Sequence, residues 1–406
     1  MGMWNAPSSI ERELYEAKLR NDWPAYFDGL ARAELFIPLA RAYADAHPTK
    51  VLLEPLYFPQ AGAYCYVAYT AGMLPVPSPD GVFKRQSLSW FSGSFEPGDP
   101  AFLAINPGSP CEAFLPSSPA HRAVWDHHWN QAPTYGLEQD KVHSLHVGGP
   151  LHGPVAFGLA CGAHLSVHNG MFWNALAYHG QGYTKEREKL KEWWGVTTRE
   201  DWLTTTEQLL KAEMVSPVWE YALRVRRALA KDFAGPVDIE HWRHAAEYSL
   251  RVSARKAAEP QITPDGVTVA TPRPAAEVDG EIAGVQRLIG RIARYEQRFR
   301  ADGLLSEGKF IRSVEAWDYG RASQMARWGL GARFGSLQET KDAVVRAGKE
   351  CRLAYRSWED LSVGYILGRC LHFDEEEFGH WYESMATAHQ ALMSDPGSPW
   401  LNIPWT

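Results

Sequence analysis

The sequence predicts an α+β N-terminal domain followed by a mainly α-helical C-terminal domain. Three observations support this fold class. Short runs of β-branched and aromatic residues stop near residue 119, apolar residues recur at helical spacing from residue 153 onward, and 406 residues exceed the size of one ordinary hydrophobic core. We therefore expect an α+β domain at residues 1–119, a linker at 120–152 and a helical domain at 153–406.

The N-terminal domain is expected to begin with two helices within residues 9–46. Ser8 or Ser9 can cap the first helix, and Glu11 and Glu13 in its first turn favour the helix dipole. The second helix is expected to continue through residue 39, with a bend at Pro38. Its apolar residues recur near the helical period: Trp23, Phe27, Leu30, Leu35 and Leu39.

A β-rich stretch follows these helices. Four short strands are expected at residues 51–58, 64–69, 102–105 and 111–115. Residues 59–62 (PQAG) separate the first two strands as a turn, and residues 106–110 (NPGSP) separate the last two. Short strands with flanking helices are typical of an α+β domain.

The C-terminal domain is expected to be helical throughout. The predicted helices are 185–194, 199–210, 218–231, 239–257, 281–300, 314–333, 337–355, 358–372 and 375–393. Residues 258–279 contain four prolines and Gly266, a composition that favours a flexible surface loop inserted into the helical domain.

Composition and charge indicate a soluble globular protein and argue against a nucleic-acid-binding protein. The chain is 45% hydrophobic and 22% charged, as in soluble globular proteins, and its formal net charge of -7 does not indicate a nucleic-acid-binding protein. One basic cluster on a predicted helix is interpreted as a solvated face: Arg224, Arg226, Arg227 and Lys231. We expect no nucleic-acid partner.

Cysteine usage and the N-terminal residues predict a cytoplasmic protein. The five cysteines are widely spaced and form no C-x-x-C motif, so neither a disulfide framework nor a cysteine zinc site is expected. The N-terminus has no basic and apolar signal-peptide regions. No run of about 20 apolar residues is present, and we expect no membrane insertion.

Three motifs place charge beside bulky apolar residues: 316–321 (AWDYGR), 356–359 (RSWE) and 368–369 (GR). Asp318 and Arg321 are three residues apart and share a helix face. The guanidinium of arginine binds carboxylates in bidentate fashion, and a buried charge is costly unless it is paired. We therefore expect a buried polar network that fixes the register of neighbouring helices, formed by Asp318, Arg321, Glu359 and Arg369. The functional alternative is an acid/base site or an anion pocket made of the same four residues.

Seventeen tryptophans indicate a large aromatic core or an interface, because aromatic side chains dominate both. The candidate aromatic anchors are Trp317, Trp358, Trp400 and Trp405. The last two lie in the apolar tail at residues 398–405, which contains two prolines. This tail either docks in a groove of its own domain, the interpretation we favour, or presents anchors to a partner.

The sequence contains no motif that predicts catalysis, a metal or a cofactor. Seven histidines lie within residues 127–168, and His164 and His168 have the i, i+4 spacing of metal ligands. However, Leu165 follows His164, so the H-E-x-x-H motif is missing, and carboxylates are sparse there. Phosphate-binding loops, dinucleotide fingerprints and G-x-S-x-G elbows are absent as well.

The N-terminal region resembles the SseB-type N-terminal domain found in many bacterial proteins. The resemblance covers about residues 28–118 and depends on residues 35–39 (LFIPL), the hairpin after Val51 and residues 105–110 (INPGSP). It implies an α+β domain at residues 1–119 and a link, by name, to a secretion-system protein.

The C-terminal region resembles the YbeU/YbeR-type helical domain, a bacterial family of unknown function, over about residues 153–405. The matching motifs are 159–163 (LACGA), 194–196 (WGV), 201–202 (DW), 316–321 (AWDYGR), 357–360 (SWED), 368–369 (GR) and 398–400 (SPW). Residues 258–279 form an insertion relative to this pattern. The resemblance implies a helical fold and bacterial origin, and it carries over no catalytic residues.

These observations predict a non-catalytic bacterial protein that binds another protein. An immunity or accessory role beside a secreted toxin or a secretion system is the concrete form of this expectation. The alternative is an enzyme with an acid/base or anion pocket around Asp318, Arg321, Glu359 and Arg369. A purely structural scaffold is a third possibility.

Overall fold

The computed structural model of the protein describes residues 4–47, 49–76, 78, 80–132, 137–146, 148–176, 183–232, 237–257, 261–263, 266–268 and 273–405. In these residues, a mixed sheet with a few helices is followed by a mostly helical C-terminal region. The predicted fold class is therefore confirmed.

The N-terminal region is built around one sheet. Its elements are α1 (Ser9–Leu19), α2 (Trp23–Arg32), β1 (Leu35–Ala40), α3 (Arg41–Ala46), β2 (Leu56–Phe58), β3 (Ala63–Thr70), β4 (Gly81–Gln86), α4 (Leu88–Ser94), β5 (Phe102–Ile105), β6 (Ala113–Pro116) and α5 (Pro119–Gln131). The strand order is β4-β1-β3-β5-β6, and β2 pairs with β3. The β3–β5 pair is parallel, and the other strand pairs are antiparallel.

Helices α1, α2 and α5 cover one face of this sheet. Leu14 of α1, Leu30 of α2 and Trp125 of α5 are fully buried in one hydrophobic cluster with Leu103 of β5. Helix α5 thus belongs to the core of the sheet region, although residues 120–152 were predicted to be a linker.

The prediction that the second helix continues through Leu39 is wrong, because residues 35–40 form strand β1. Proline is compatible with this strand where no neighbour needs its missing N–H. Strand β1 pairs with β3 only at Leu35 and Phe36, so Pro38 lies where β4 is the only paired neighbour in the described sheet.

The C-terminal region consists mainly of helices. They are α6 (Gly153–Cys161), α7 (Ala163–His168), α8 (Tyr183–Trp194), α9 (Arg199–Leu210), α10 (Pro217–Asp232), α11 (Ile239–Ala257), α12 (Ala275–Ala301), α13 (Ala316–Gly331), α14 (Leu337–Ala354), α15 (Trp358–Phe373), α16 (His380–Ser394) and α17 (Pro399–Asn402). Strands β7 (Gln261–Thr263) and β8 (Gly266–Thr268) pair antiparallel.

In the C-terminal region, two predicted helix starts differ from the structure by more than two residues. Part of the predicted loop at 258–279 lies outside the described residues, but helix α12 already begins at Ala275, directly after Pro274 at the N-cap position, where the missing N–H of proline interrupts no helical hydrogen bond. The helix predicted from residue 375 begins only at His380, because Glu376 and Phe378 have φ angles of 66° and 53°, which a right-handed helix excludes.

Helix α13 lies at the centre of the helical region, and most of its residues are buried. Trp202 of α9 packs over Gly329, where a Cβ atom would lie 2.0 Å from the indole Nε1. The same Nε1 donates to the carbonyl of Met325 at 2.9 Å. The helix can approach the indole this closely because residue 329 has no side chain.

Candidate functional site

Asp318 and Arg321, at the start of α13, form the ion pair that the sequence predicted. Asp318 is fully buried, and its Oδ1 accepts from Arg321 Nη2. The backbone N–H groups of Met214 and Val215 donate to Oδ2 of the same carboxylate, both at 2.9 Å. The pair therefore joins α13 to the segment between α9 and α10.

The electrostatics of this pair are set by its burial. Burial raises the pKa of Asp318, and the charge of Arg321 opposes this rise. Burial also lowers the pKa of Arg321, while Asp318 acts in the opposite direction. Each charge is compensated by the other, and the carboxylate has its hydrogen bonds filled, so the arrangement is that of a structural pair.

Glu359 lies outside the predicted network. Its carboxylate accepts from Ser306 N at 3.0 Å, Ser306 Oγ at 2.7 Å and Lys309 Nζ at 2.5 Å. Burial alone would raise the pKa of Glu359, but the hydrogen bonds from Lys309 and Ser306 outweigh it and lower the pKa. Glu359 therefore stabilises the loop before α13, without an ion pair to Arg321 or Arg369 in the described residues.

Arg369, near the end of α15, is the member of the network that lacks a carboxylate. Its residue exposure is 8%, yet within the described part of the chain its guanidinium makes no ion pair and no hydrogen bond. The guanidinium lies 5.0 Å from the ring centre of Trp381 and 5.9 Å from that of Phe373. Arg369 is thus a largely buried cation held against aromatic rings.

A glycine on α15 brings Arg369 close to α13. A Cβ atom on Gly368 would lie 2.8 Å from Trp317 Cβ and 3.1 Å from the carbonyl of Val314. Because residue 368 has no side chain, α15 crosses the start of α13 at short range. Arg369 thereby reaches the neighbourhood of Trp317 and Arg321, which the spacing of the motifs alone does not reveal.

An exposed aromatic pair lies beside these arginines. Phe373 and Trp381 stack with ring centres 4.6 Å apart at 18°, and they are 42% and 40% exposed. Trp317 contacts Phe373 at 5.9 Å, and the Arg321 guanidinium lies 3.6 Å from the Trp317 ring centre. We call this set the aromatic–arginine surface, and its members are Trp317, Arg321, Arg369, His372, Phe373 and Trp381.

The other three predicted aromatic anchors pack together at the C-terminal end of the chain. Trp358 stacks on Trp400 at 5.7 Å, and Trp405 meets Trp358 edge-on at 4.8 Å. Their indole nitrogens donate to the carbonyls of Ile403, Ala160 and Tyr355, respectively. The tail therefore docks on its own helical region, and Trp358 and Trp400 are buried there.

The exposed pair and the buried Arg226–Glu296 salt bridge were not predicted from the sequence. Phe373 and Trp381 are spaced eight residues apart across a loop, so only the fold brings them together. Arg226 was interpreted as part of a solvated face, but its guanidinium forms a bidentate pair with Glu296 at 2.7 and 2.9 Å, with both side chains nearly inaccessible. The apolar residues around Arg226 on α10 were a signal that this face is not solvated.

His164, one of the seven histidines within residues 127–168, forms a buried hydrogen-bonded chain with Ser362 and His389. His164 Nε2 and His389 Nδ1 each hydrogen-bond to Ser362 Oγ, at 2.8 and 2.7 Å. Burial lowers the pKa of His164 well below its usual value and lowers that of His389 to about 4. No group of three or more potential metal ligands lies in the described residues.

The fold and the site define a protein with a helical C-terminal region that carries a partly exposed aromatic–arginine surface. Residues 189–405, more than half of the chain, match the family described as "Protein of unknown function (DUF1266)". The chain belongs to this family. No curated protein and no solved structure matches it.

These comparisons confirm the expectation of an uncharacterised family in the C-terminal part. The match lies within the region where the YbeU/YbeR resemblance was stated and includes every member of the aromatic–arginine surface. Among the described helices, none combines the length and apolar character needed to cross a membrane.

Proposed function

We propose that this protein has no catalytic role and binds another protein through the aromatic–arginine surface. The partner contributes a carboxylate to Arg369 and an apolar side chain to the Phe373–Trp381 pair. The observation that carries this proposal is Arg369 itself, a largely buried cation beside an exposed aromatic pair, without a carboxylate among the described residues.

The energetics of Arg369 support a partner with an acidic group. A desolvated charge is costly unless an opposite charge compensates it, and a cation–π contact offsets only about 0.5–2 kcal/mol of that cost. A carboxylate that approaches along the exposed rings would complete the pair. Tryptophan and arginine are also the residue types most enriched where truncation abolishes protein binding.

The cellular role that we propose is that of a bacterial cytoplasmic accessory or immunity protein. The resemblance of residues 28–118 to the SseB-type domain supports an association with a secretion system. The lack of catalytic motifs in the sequence supports binding over chemistry.

Affinity capture with the full-length chain tests this proposal. Wild-type protein and the Trp381→Ala variant are used as baits in an extract of the native host at physiological salt, and the captured protein is identified and purified. We expect its dissociation constant to rise by about 30-fold or more in Trp381→Ala, since truncation of a central aromatic residue costs about 2 kcal/mol or more.

Tyr248→Ala provides the matched control, because Tyr248 is 72% exposed on α11, outside the aromatic–arginine surface. This variant should bind like wild type. Equal losses in Tyr248→Ala and Trp381→Ala, or no partner that distinguishes Trp381→Ala from wild type, would contradict the proposal.

A pocket beside Glu359 supports a second candidate function, that of an enzyme. Its volume is about 250 Å³, and Glu359, Asp360, Lys309 and Arg312 contribute to its wall. Burial raises the pKa of Asp360, whereas the pKa of Glu359 is lowered. Two neighbouring carboxylates with opposite shifts can serve as proton donor and proton acceptor.

The two candidate functions respond differently to Asp360→Asn. If the protein only binds a partner, this variant keeps full affinity for that partner. An enzyme using the pocket would lose turnover in Asp360→Asn and in Glu359→Gln, while both variants remain folded and Trp381→Ala remains active.

A further inference from the structure

An arginine-rich pocket lies between α11 and α12, on residues that the proposed protein-binding surface does not use. Its volume is about 490 Å³. Arg243 of α11 and Arg287, Arg291 and Arg294 of α12 line it, together with Glu376. The volume falls within the range of pockets for small ligands, about 300–1,000 Å³.

The sequence of α12 places its three arginines on one side of the helix. Arg287, Arg291 and Arg294 are separated by four and three residues, the spacing of neighbours on a helix face. This concentration of positive charge contrasts with the formal net charge of -7 for the whole chain.

Gly290 allows guanidinium groups from two helices to converge. A Cβ atom on Gly290 would lie 3.0 Å from Arg243 Nη2 and 3.2 Å from Arg294 Nη1. These two nitrogen atoms are therefore within about 6 Å of each other, over a stretch of helix with no side chain between them. Two like charges at this separation repel each other unless an anion lies between them.

The carboxylates around the pocket do not balance its arginines. Arg294 pairs with Glu376 at 2.8 Å, and Arg243 pairs with Glu240 at 2.7 Å. Arg291 lies 3.8 Å from the same Glu376 and donates to the carbonyls of Cys370, Leu371 and Asp374 at the end of α15.

Arg287 is exposed and has no ion pair or hydrogen bond among the described residues. Four cations thus face two paired carboxylates, and the pocket keeps an excess of positive charge.

We propose that this pocket binds a small phosphorylated molecule, with a phosphoryl group between Arg243 and Arg294 above Gly290. Guanidinium groups match phosphate oxygens in geometry and charge, and two of them can hold one phosphoryl group from two sides. The remaining volume exceeds that of inorganic phosphate, so a phosphate ester or a diphosphate fits better than the free ion.

Isothermal titration calorimetry on the full-length protein, with pyrophosphate and ADP as probes, tests this inference. We expect saturable binding of both probes at 0.15 M salt. The dissociation constant should rise about 10-fold or more in Arg243→Gln, because a charge-assisted hydrogen bond is lost.

Gly290→Ala separates binding from folding. Alanine in the middle of α12 favours the helix, so thermal stability should hold or increase, while the new Cβ pushes the two guanidinium groups apart and weakens pyrophosphate binding. Arg251→Gln is the control, since Arg251 pairs with Glu247 and Asp279 and does not line the pocket.

Three outcomes would overturn the inference. The first is that wild-type protein does not bind millimolar pyrophosphate and ADP. The second is an unchanged affinity in both Arg243→Gln and Gly290→Ala, and the third is a loss of affinity in Arg251→Gln as large as that in Arg243→Gln. The last result would indicate a diffuse electrostatic attraction instead of a site.

Discussion

Arg226 and Arg369 are two buried arginines of the same helical region with opposite surroundings. The Arg226 guanidinium pairs with Glu296 through two hydrogen bonds, donates to the carbonyl of Ile311 at 2.7 Å and lies 4.2 Å from the Trp242 ring centre. Arg369 also lies against a tryptophan, but it has no carboxylate or carbonyl partner among the described residues.

The difference shows that the degree of burial does not by itself distinguish an arginine that stabilises the fold from one that is available to bind a partner. Arg226 is compensated within the chain, and its neighbours are core residues. Arg369 is nearly as inaccessible, but its aromatic neighbours Phe373 and Trp381 are about 40% exposed. A compensated charge holds helices together, whereas an uncompensated one beside exposed rings is suited to a partner.

The largest expected effect is at the compensated arginine. Glu296→Gln leaves Arg226 buried without an opposite charge, and we expect the free energy of unfolding to fall by about 3–5 kcal/mol. Urea denaturation of wild type and variant measures this. A decrease in the free energy of unfolding of less than about 1 kcal/mol would show that the Glu296 carboxylate does not make Arg226 more important for stability than Arg369.

His389, in the buried histidine chain, is a further buried side chain, but its charge depends on pH. The pKa of His389 is about 4 in the folded protein, below its usual value of 6.5. The unfolded chain therefore binds more protons between pH 6.5 and 4, and stability falls as the pH falls through this window. The shift corresponds to a loss of about 3 kcal/mol by pH 4.

Denaturation curves at pH 7, 5.5 and 4 test the pH prediction. The free energy of unfolding should vary less with pH in His389→Gln than in wild type. Its variation with pH should stay unchanged in His241→Gln, whose side chain is 76% exposed. If both variants keep the full dependence, the buried chain is not its source.

The Arg369→Met variant tests whether the arginine without a charge partner contributes to the stability of the fold. Because Arg369 has no charge partner in the described residues, an apolar residue of similar length should change the free energy of unfolding by less than about 1 kcal/mol, or stabilise the protein. Partner affinity should fall in the same variant. A destabilisation as large as that of Glu296→Gln would show that Arg369 is compensated within the chain.

The smallest expected effect is at an exposed pair of the same chemistry. Arg346 and Glu207 form a bidentate pair, but both side chains are 41% exposed. We expect Glu207→Gln to cost less than about 1 kcal/mol, because solvent screens the pair. Urea denaturation of Glu207→Gln and Glu296→Gln in parallel measures how much burial adds to the contribution of an ion pair. Equal decreases in the free energy of unfolding would show that burial adds nothing.

Much of the fold was predictable from local patterns. Helices α9 and α11 have the predicted bounds, since apolar residues at helical spacing and capping residues such as Thr198 act within a few residues. Strand β1 was not predicted, because residues 35–40 are all apolar and only pairing with β3 and β4 decides their conformation. Such a run does not distinguish a helix from a strand.

The candidate site was predictable only in its short-range part. Asp318 and Arg321 lie one helical turn apart, and their pairing follows from the sequence spacing alone. Glu359 and Arg369 share a helix but face different neighbours, so their partners depend on how α15 crosses α13 and on the loop at residues 306–309.

The amino-acid sequence by itself determined the fold class, most of the helices and the Asp318–Arg321 pair, because helical periodicity, capping and i, i+3 contacts are local interactions. Tertiary structure alone decided how the buried charges outside this pair are compensated. It paired Arg226 with Glu296, 70 residues apart, placed Trp381 against Phe373 and brought Arg243 to Arg294 over Gly290. These arrangements depend on helix crossings set by the packing of the whole core, and no local sequence pattern encodes them.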